Sequence, residues 1–409
     1  MYITRDLEPV IEQVISEYPV LLLTGPRQVG KTTLLRHLAE QEQVQRTYVS
    51  LDSLEARTLA KSEPEAFLAA YPPPVLIDEV QYAPDLFRAI KIEVDKHQRP
   101  GDFWLTGSQA FRLMRGVQES LAGRVALLRL APFSQNERFS HLEPRAFSPD
   151  PETLKERQSL LGPVTSQEMN KRLLQSAMPR LVSGEVNNQE LYYESYIDTY
   201  IQRDVRDIIA IQDAGEFRRF FTTVAARTGQ LLNQTDMARD LGVHPATAKS
   251  WLGILETLGL VYLLPPYFNN LLKRAVKTPK MYITDVALAC HILKIDSLEA
   301  LLASPLRGEL FETYVVNEIL RSYHNVGREP GMYYYRDVDQ REIDLVFEAG
   351  GMVHPFEIKS TESPAPQLAR TFRALDSGIY PRGNGGVLCN SPTIEQLDAN
   401  NTSIPVALI

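Results

Sequence analysis

The sequence predicts an α/β multidomain protein. Over residues 1–140, short apolar runs alternate with helical patterns, the rhythm of parallel strands joined by helical crossovers. A glycine-bounded loop ending in Lys-Thr follows the first of those runs. Near the C-terminus a second strand-rich stretch appears, separated from the first by helical sequence. The length of 409 residues is more than one domain usually carries, so two or three domains are expected.

Val20–Leu23, Thr47–Leu51, Val75–Ile77, Phe103–Leu105 and Val125–Leu130 are apolar runs of buried-strand length. They define an N-terminal core, 1–140. Residues 141–165, rich in Pro, Ser and Glu, are expected to be a linker that leads into helices, so that 141–230 forms a linker and helical lid. Residues 231–300 form a small helical module and 301–409 a C-terminal α/β domain. There is no internal repeat and no low-complexity tract.

Composition narrows the function classes. The chain is 44% hydrophobic and 23% charged, an ordinary globular mix with material for separate cores. With 43 basic and 51 acidic residues its net charge is −8, which excludes a nucleic-acid coat spread over the whole surface. Cys290 and Cys389 are distant and form no CxxC pair, so neither a structural zinc site nor a disulfide scaffold is expected. No signal-peptide core and no apolar run of about 18 residues is present, so a cytoplasmic protein without membrane contact is expected.

The sharpest motif is Gly25-Pro26-Arg27-Gln28-Val29-Gly30-Lys31-Thr32, followed by Thr33 at the start of a helical pattern. It satisfies G-x-x-x-x-G-K-[ST] in the strand-before, helix-after context the chemistry needs. Glycines let the backbone wrap phosphate oxygens, and N–H groups at a helix start point at the anion. Lys31 would reach the β- and γ-phosphates of ATP, and Thr32 would offer its hydroxyl to Mg²⁺. Pro74-Val75-Leu76-Ile77-Asp78-Glu79 is a strand ending in two acids. Asp78 would hold Mg²⁺ and Glu79 would polarise the attacking water.

These motifs resemble the AAA-type P-loop NTPases. The resemblance implies that Phe103–Ser108 is their next strand, whose polar end, Thr106 or Ser108, senses the γ-phosphate. It also implies an arginine before the following strand that reaches a neighbouring subunit's nucleotide. Arg124 is the candidate, with Arg115 second; either requires a homo-oligomer. Tyr200, Arg203, Asp204 and Arg206 could join a nucleotide lid or make solvated ion pairs.

In the middle module, Gln234–Gly242 and Pro245–Leu258 are two helical stretches, and strand-like Leu260–Leu264 and Met281–Ile283 follow. This order resembles a winged helix-turn-helix. Lys249, Lys273, Arg274, Lys277 and Lys280 stand here against Glu256 alone, a local basic character suited to phosphate contacts with DNA. Winged helices also serve as protein-packing units.

Near the C-terminus, Asp344 lies on one alternating strand, and Glu357 and Lys359 lie on the next, beyond a Gly350-Gly351 turn. Glu357 and Lys359 are two apart and share a strand face. Two carboxylates there would hold Mg²⁺, and Lys359 would steady the water or the developing phosphate charge. The D…E-x-K pattern resembles the PD-(D/E)XK, restriction-endonuclease-like nucleases. That likeness implies a further metal-holding acid on the preceding helix, best met by Glu312. The alternative is a surface hairpin with a Glu–Lys ion pair.

The whole order resembles a prokaryotic family of AAA-type ATP-binding proteins whose C-terminal half is a domain of unknown function. The expected activity is Mg²⁺-dependent ATP hydrolysis coupled to DNA binding and to nucleic-acid cleavage, with RNA an open alternative polymer. The second reading is an ATP-regulated switch or scaffold for a protein partner, with an inert nuclease-like domain.

Overall fold

The computed structural model describes residues 2–108, 120–201, 214–267, 278–337, 340–376 and 378–409. Its N-terminal sheet holds β1 (Val20–Thr24), β2 (Thr47–Ser50), β3 (Val75–Asp78), β4 (Phe103–Gly107) and β5 (Val125–Arg129). All neighbours are parallel and the order is β2-β3-β4-β1-β5. Strands β1, β3 and β4 are apolar because both of their faces are covered. Alternate side chains divide between two clusters. Val20, Leu22, Ile77 and Phe103 pack on one face, and Leu21, Leu23, Leu76 and Trp104 on the other. The covering helices are α1 (Glu8–Glu17), α2 (Lys31–Gln41), α3 (Leu54–Ser62), α4 (Pro64–Ala70) and α5 (Leu86–His97). This parallel order puts the loops after β1, β3 and β4 side by side, at the carboxyl end where α/β sheets bind ligands.

The expected linker is tied down. It contains α6 (Pro151–Leu161), and Phe147 is buried edge-on against Phe347 and Phe356 of the distant C-terminal sheet, at 6.1 and 5.9 Å. Composition pointed to a linker, but Phe147 and Leu154 are both buried and anchor it. Helices α7 (Ser166–Leu174), α8 (Pro179–Val182), α9 (Gln189–Ser195) and α10 (Ala214–Ala226) follow.

Helices α11 (Gln234–Leu241) and α12 (Pro245–Thr257) come next. Antiparallel β7 (Val261–Leu264) and β8 (Lys280–Ile283) follow, with short β6 (Gln230–Leu231) on the far side of β8. The ring of His244 is the α12 N-cap: its Nδ1 accepts from the Ala246 N–H at 3.2 Å. Between α12 and β7, Gly259 approaches the loop after β1 so closely that a Cβ would lie 2.9 Å from Pro26 Cγ. Two further helices, α13 (Val286–Ile292) and α14 (Leu298–Ala303), lead to the C-terminal part.

That part begins with α15 (Arg307–His324). Then come β9 (Met332–Arg336), β10 (Glu342–Ala349) and β11 (Met352–Lys359), a run of antiparallel neighbours. A helical segment, Pro366–Leu375, leads to β12 (Gly385–Cys389), which is parallel to β11. Strands β13 (Glu395–Gln396) and β14 (Asn401–Pro405) complete the order β13-β14-β12-β11-β10-β9. Helix α15 is buried nearly all round, as a helix between two bodies must be. Its Glu318 accepts from the Gln135 N–H at 2.7 Å, and Arg321 donates to the Phe133 and Thr284 carbonyls at 3.3 and 2.7 Å.

Separate cores are present, one on a face of the N-terminal sheet around Phe87 and one in the C-terminal part around Phe372, but the largest core is shared. One apolar cluster runs from Leu21 and Trp104 through Leu255 and Phe311 to Leu345 and Leu408. Helices α12 and α15 bury apolar residues toward more than one neighbour, so the parts share an interior.

Candidate functional site

The loop Gly25–Thr32 leaves β1 and enters α2. At Gly25 φ is +147°, and a Cβ would lie 2.1 Å from the Leu130 carbonyl oxygen, so only glycine fits. Gly30 is left-handed and opens α2. Lys31 is buried, and its ammonium donates to the carbonyls of Gly25 and Pro26 at 3.0 and 2.8 Å, inside the loop it would share with a phosphate. Gln28 has a left-handed backbone, and its Oε1 accepts from the Tyr192 hydroxyl at 2.6 Å. Helix α9 is thereby tied to the loop.

The acids converge as their spacing predicts. Thr32 Oγ1 donates to Asp78 Oδ1 at 2.9 Å, and the buried Thr106 hydroxyl donates to the same oxygen. Tyr48 donates to Asp78 Oδ2 at 3.2 Å. Burial, reinforced by the Asp78 charge, raises the Tyr48 phenol above its ordinary pKa. Glu79 sits in the left-handed region, its N–H donates to Thr106 Oγ1 at 3.3 Å, and its carboxylate accepts from Gln81 and, at 3.5 Å, from Ser108. Thr106 and Ser108 therefore orient Asp78 and Glu79.

A cavity of about 410 Å³ opens onto this arrangement, lined by Arg27–Leu34 and Glu79, with Tyr2, Phe133 and Arg180 among its other walls. The residues fit ATP and Mg²⁺. A loop that opens a helix through left-handed Gly30 and admits no Cβ at Gly25 suits phosphate, and a hydroxyl beside a carboxylate is an oxygen donor set suited to Mg²⁺.

Arg124 lies elsewhere. It precedes β5 at the opposite end of the sheet, where it forks onto Asp95 at 2.5 and 3.1 Å. It therefore reaches no nucleotide of its own chain. Arg115, Arg203, Asp204, Arg206 and the side chain of Tyr200 lie outside the described residues.

Sequence reasoning missed three contributors. Arg5 is buried, donates to the Val29 and Ala131 carbonyls at 3.0 and 2.8 Å, pairs with buried Glu137, and lies over the Phe133 ring. It braces the phosphate loop from behind, and no motif marks it. Tyr2 stacks on His37 at 3.7 Å beside the cavity. Arg180, at the start of α8, brings a positive charge to the cavity wall and pairs with Glu185 at 3.5 Å. The Met178-Pro179-Arg180 string could have flagged it, since proline opens helices.

The C-terminal acids also come together. Strand pairing of β10 with β11 puts Asp344 beside the end of β11, where its Oδ2 accepts from the Ile358 N–H at 2.9 Å. Lys359 reaches Asp344 at 2.8 Å and Glu357 at 2.9 Å. Glu312 arrives from α15, as expected. It is engaged, however, by Lys280 at 3.0 Å and by the Tyr282 hydroxyl at 2.6 Å. Lys280 also pairs with Glu342 at 2.6 Å and lies 3.8 Å from Asp344. This corrects two expectations. Lys280 belongs to an interior cluster rather than to a basic surface, and Glu312 faces an ammonium. Lys273, Arg274 and Lys277 lie outside the described residues, while Lys249 is exposed on α12.

The electrostatics follow from burial and neighbours. Burial drives Glu312 up to about 7, with Asp344 adding to the rise and Lys280 opposing it. Burial and the adjacent Asp344 raise Glu357. For Asp344 burial also works upward, but Lys359 and Lys280 outweigh it and hold the carboxyl below its ordinary range. Lys280 and Lys359 already occupy oxygens of Glu312, Glu342, Asp344 and Glu357, so the cluster in this arrangement does not fit a divalent metal. Among the described residues no group of three or more His, Cys, Asp or Glu side chains is poised to hold one.

Comparison with known proteins places these features. Residues 17–139 match the AAA domain, 166–299 a domain of unknown function (DUF8612), and 307–409 a domain of unknown function (DUF4143). Among solved structures, the Walker-type ATPase of Pyrococcus abyssi is 16% identical, with TM-score 0.43, covering 70% of this chain and 95% of that one. The RuvB Holliday junction branch migration motor of Thermotoga maritima is 18% identical, with TM-score 0.33, covering 64% and 89%. No helix among the described residues is long and apolar enough to cross a membrane. The uncharacterized proteins Rv2008c of Mycobacterium tuberculosis and Mb2031c of Mycobacterium bovis are each 30% identical over 371 residues, 90% of this chain and 76% of theirs. This chain, with its parallel-sheet P-loop core and AAA domain, belongs to the family of those two uncharacterized proteins.

Proposed function

We propose that the protein is a Mg²⁺-dependent ATP hydrolase whose nucleotide state controls a nuclease-like C-terminal domain. The observation that carries the ATPase part is the Thr32–Asp78–Thr106 hydrogen-bond cluster beside a glycine-lined loop that opens into the cavity. Lys31 moves from its loop carbonyls to the β- and γ-phosphates and neutralises them. Thr32 and Asp78 would hold Mg²⁺, which would neutralise phosphate charge. Glu79, oriented by Gln81 and Ser108, accepts a hydrogen bond from the attacking water. Arg180 contributes positive charge from the helical lid. Arg124 acts only in trans, in a homo-oligomer that frees it from Asp95.

The nuclease-like reading is supported by the order helix, three antiparallel strands, helix, parallel strand, with Asp344 on the second strand and Glu357-Ile358-Lys359 on the third. The winged-helix reading is supported by α11, α12 and the β7–β8 pair. DNA contact through α12 keeps Lys249 as its described basic residue. The inert-scaffold alternative gains from the Lys280 ion pairs.

ATP turnover with and without Mg²⁺ tests the first part, with Lys31→Ala as the control. Turnover retained in that variant removes the assignment. Mn²⁺- or Mg²⁺-dependent cleavage of single- and double-stranded DNA and RNA, lost in Asp344→Ala, tests the second. No cleavage under any condition moves the domain to the scaffold reading.

A further inference from the structure

The C-terminal acids meet a cation that their own domain does not supply. Lys280 opens β8 of the helix–hairpin module, and its side chain is only 4% exposed. From there it enters a space bounded by Glu312 of α15 and by Glu342 and Asp344 of β10. Tyr282, two residues on and therefore on the same strand face, donates to Glu312. Strand β8 thus presents an ammonium and a hydroxyl to carboxylates of two other elements. On the far side of Asp344, Lys359 spans Asp344 and Glu357. A divalent cation needs carboxylate oxygens that are deprotonated and not already committed to another cation. The ammonium of Lys280 meets oxygens of Glu312 and Glu342 and lies 3.8 Å from Asp344, so it stands where such a cation would bind.

We propose that Lys280 is a built-in plug of the C-terminal acid cluster, and that displacing β8 converts the cluster into a divalent-cation site. This rests on the nuclease-like reading of the domain and names its regulation. The strand that carries the plug has a tie to the nucleotide site. Asp285, just beyond β8, caps α13 through the Ala287 N–H at 3.1 Å and accepts from the Tyr193 hydroxyl at 2.7 Å. The preceding residue, Tyr192, donates to Gln28 of the phosphate loop. One helix, α9, therefore grips both the phosphate loop and the end of the plug strand. Movement of that helix on nucleotide binding would pull on β8.

The test is Mn²⁺ binding to the full chain at alkaline pH without nucleotide, read from the free-Mn²⁺ electron paramagnetic resonance signal. Removing the ammonium in Lys280→Met is expected to tighten binding by about tenfold or more relative to wild type. The double variant Lys280→Met/Asp344→Asn should lose that gain. Lys280→Arg, which keeps a cation, should bind as wild type does. Lys280→Gln, which also removes the ammonium but keeps a polar group in the space, should tighten binding as Lys280→Met does. Equal affinity in Lys280→Met and wild type overturns the plug, and so does tight binding in wild type that Asp344→Asn abolishes. Should Lys280→Met fail to fold by circular dichroism, Lys280→Gln decides, and no tightening there overturns the proposal. Cleavage is not the readout, so a domain inert toward nucleic acid leaves this result interpretable.

Discussion

The phosphate-loop site and the C-terminal acid cluster contain the same chemical parts, arranged to opposite ends. Each brings together acids at strand ends and at least one lysine. In the first, Lys31 rests on neutral carbonyls, and Asp78 is held by the hydroxyls of Thr32, Thr106 and Tyr48. Neutral carbonyls and hydroxyls hold the lysine and the carboxylate in place, and a cavity of about 410 Å³ adjoins them. In the second, two lysines sit directly on the four carboxylates and occupy their oxygens. Hydrogen bonding to neutral groups prepares a site for an incoming ion, whereas direct ion pairing closes one.

If that contrast is right, the two regions respond differently to loss of a charge. The largest effect is expected at the phosphate loop. Lys31→Ala should lower kcat for ATP by about 10²- to 10³-fold, the usual cost of losing one preorganised electrostatic donor. Unfolding midpoints should barely change. A matching loss of stability would show that Lys31 is structural and would erase the contrast.

Asp344→Asn should do the reverse. It leaves the buried ammonium of Lys280 and the half-exposed one of Lys359 each short of an anion and should cost about 2 kcal/mol in chemical denaturation. ATP turnover should stay within about twofold of wild type, as expected for distant sites. A variant as stable as wild type would mean that Lys280 and Lys359 find other partners.

The third effect is a pH dependence. Folding raises Glu312 to about 7 and Glu357 to about 8, both above their unfolded values. The folded state therefore binds more protons between the unfolded and folded pKa values. Stability contributed by the protonated groups is fully present below the unfolded carboxylate range. It is lost as pH rises through about 7 for Glu312 and about 8 for Glu357. Thermal midpoints should fall across that window, and Glu357→Gln should flatten the slope. An unchanged slope in that variant would place the titration elsewhere.

The smallest effect is expected at Arg124. Its pair with Asp95 is partly exposed, so Arg124→Ala should change stability by less than about 1 kcal/mol. Turnover by an isolated chain should be unaffected, since the residue lies at the wrong end of the sheet. A large fall confined to an assembled form would establish the trans role.

How much of this was legible beforehand varied with the range of the interactions. Strands β1 to β5 could be read within a residue or two, because each is a short apolar run bounded by polar sequence. The phosphate loop was legible because glycines, lysine and threonine must occur in one short string. Asp344, Glu357 and Lys359 were legible because a hairpin brings them together. Lys280 was not, since its partners lie more than thirty residues away on other elements. It looked like one more basic residue of a surface wing. Arg5 was hidden for the same reason, with its partner Glu137 132 positions along the chain.

The sequence by itself determined the parallel core, the phosphate loop and the hairpin of acids, because local order and strand periodicity create them. Only the tertiary structure decided that the apparent linker is anchored by Phe147 and that one large apolar cluster runs through several parts. It also decided that β8 drives an ammonium into the acid cluster. Those outcomes depend on which distant surfaces meet, and a charge counted along the chain carries no record of the charge it will face.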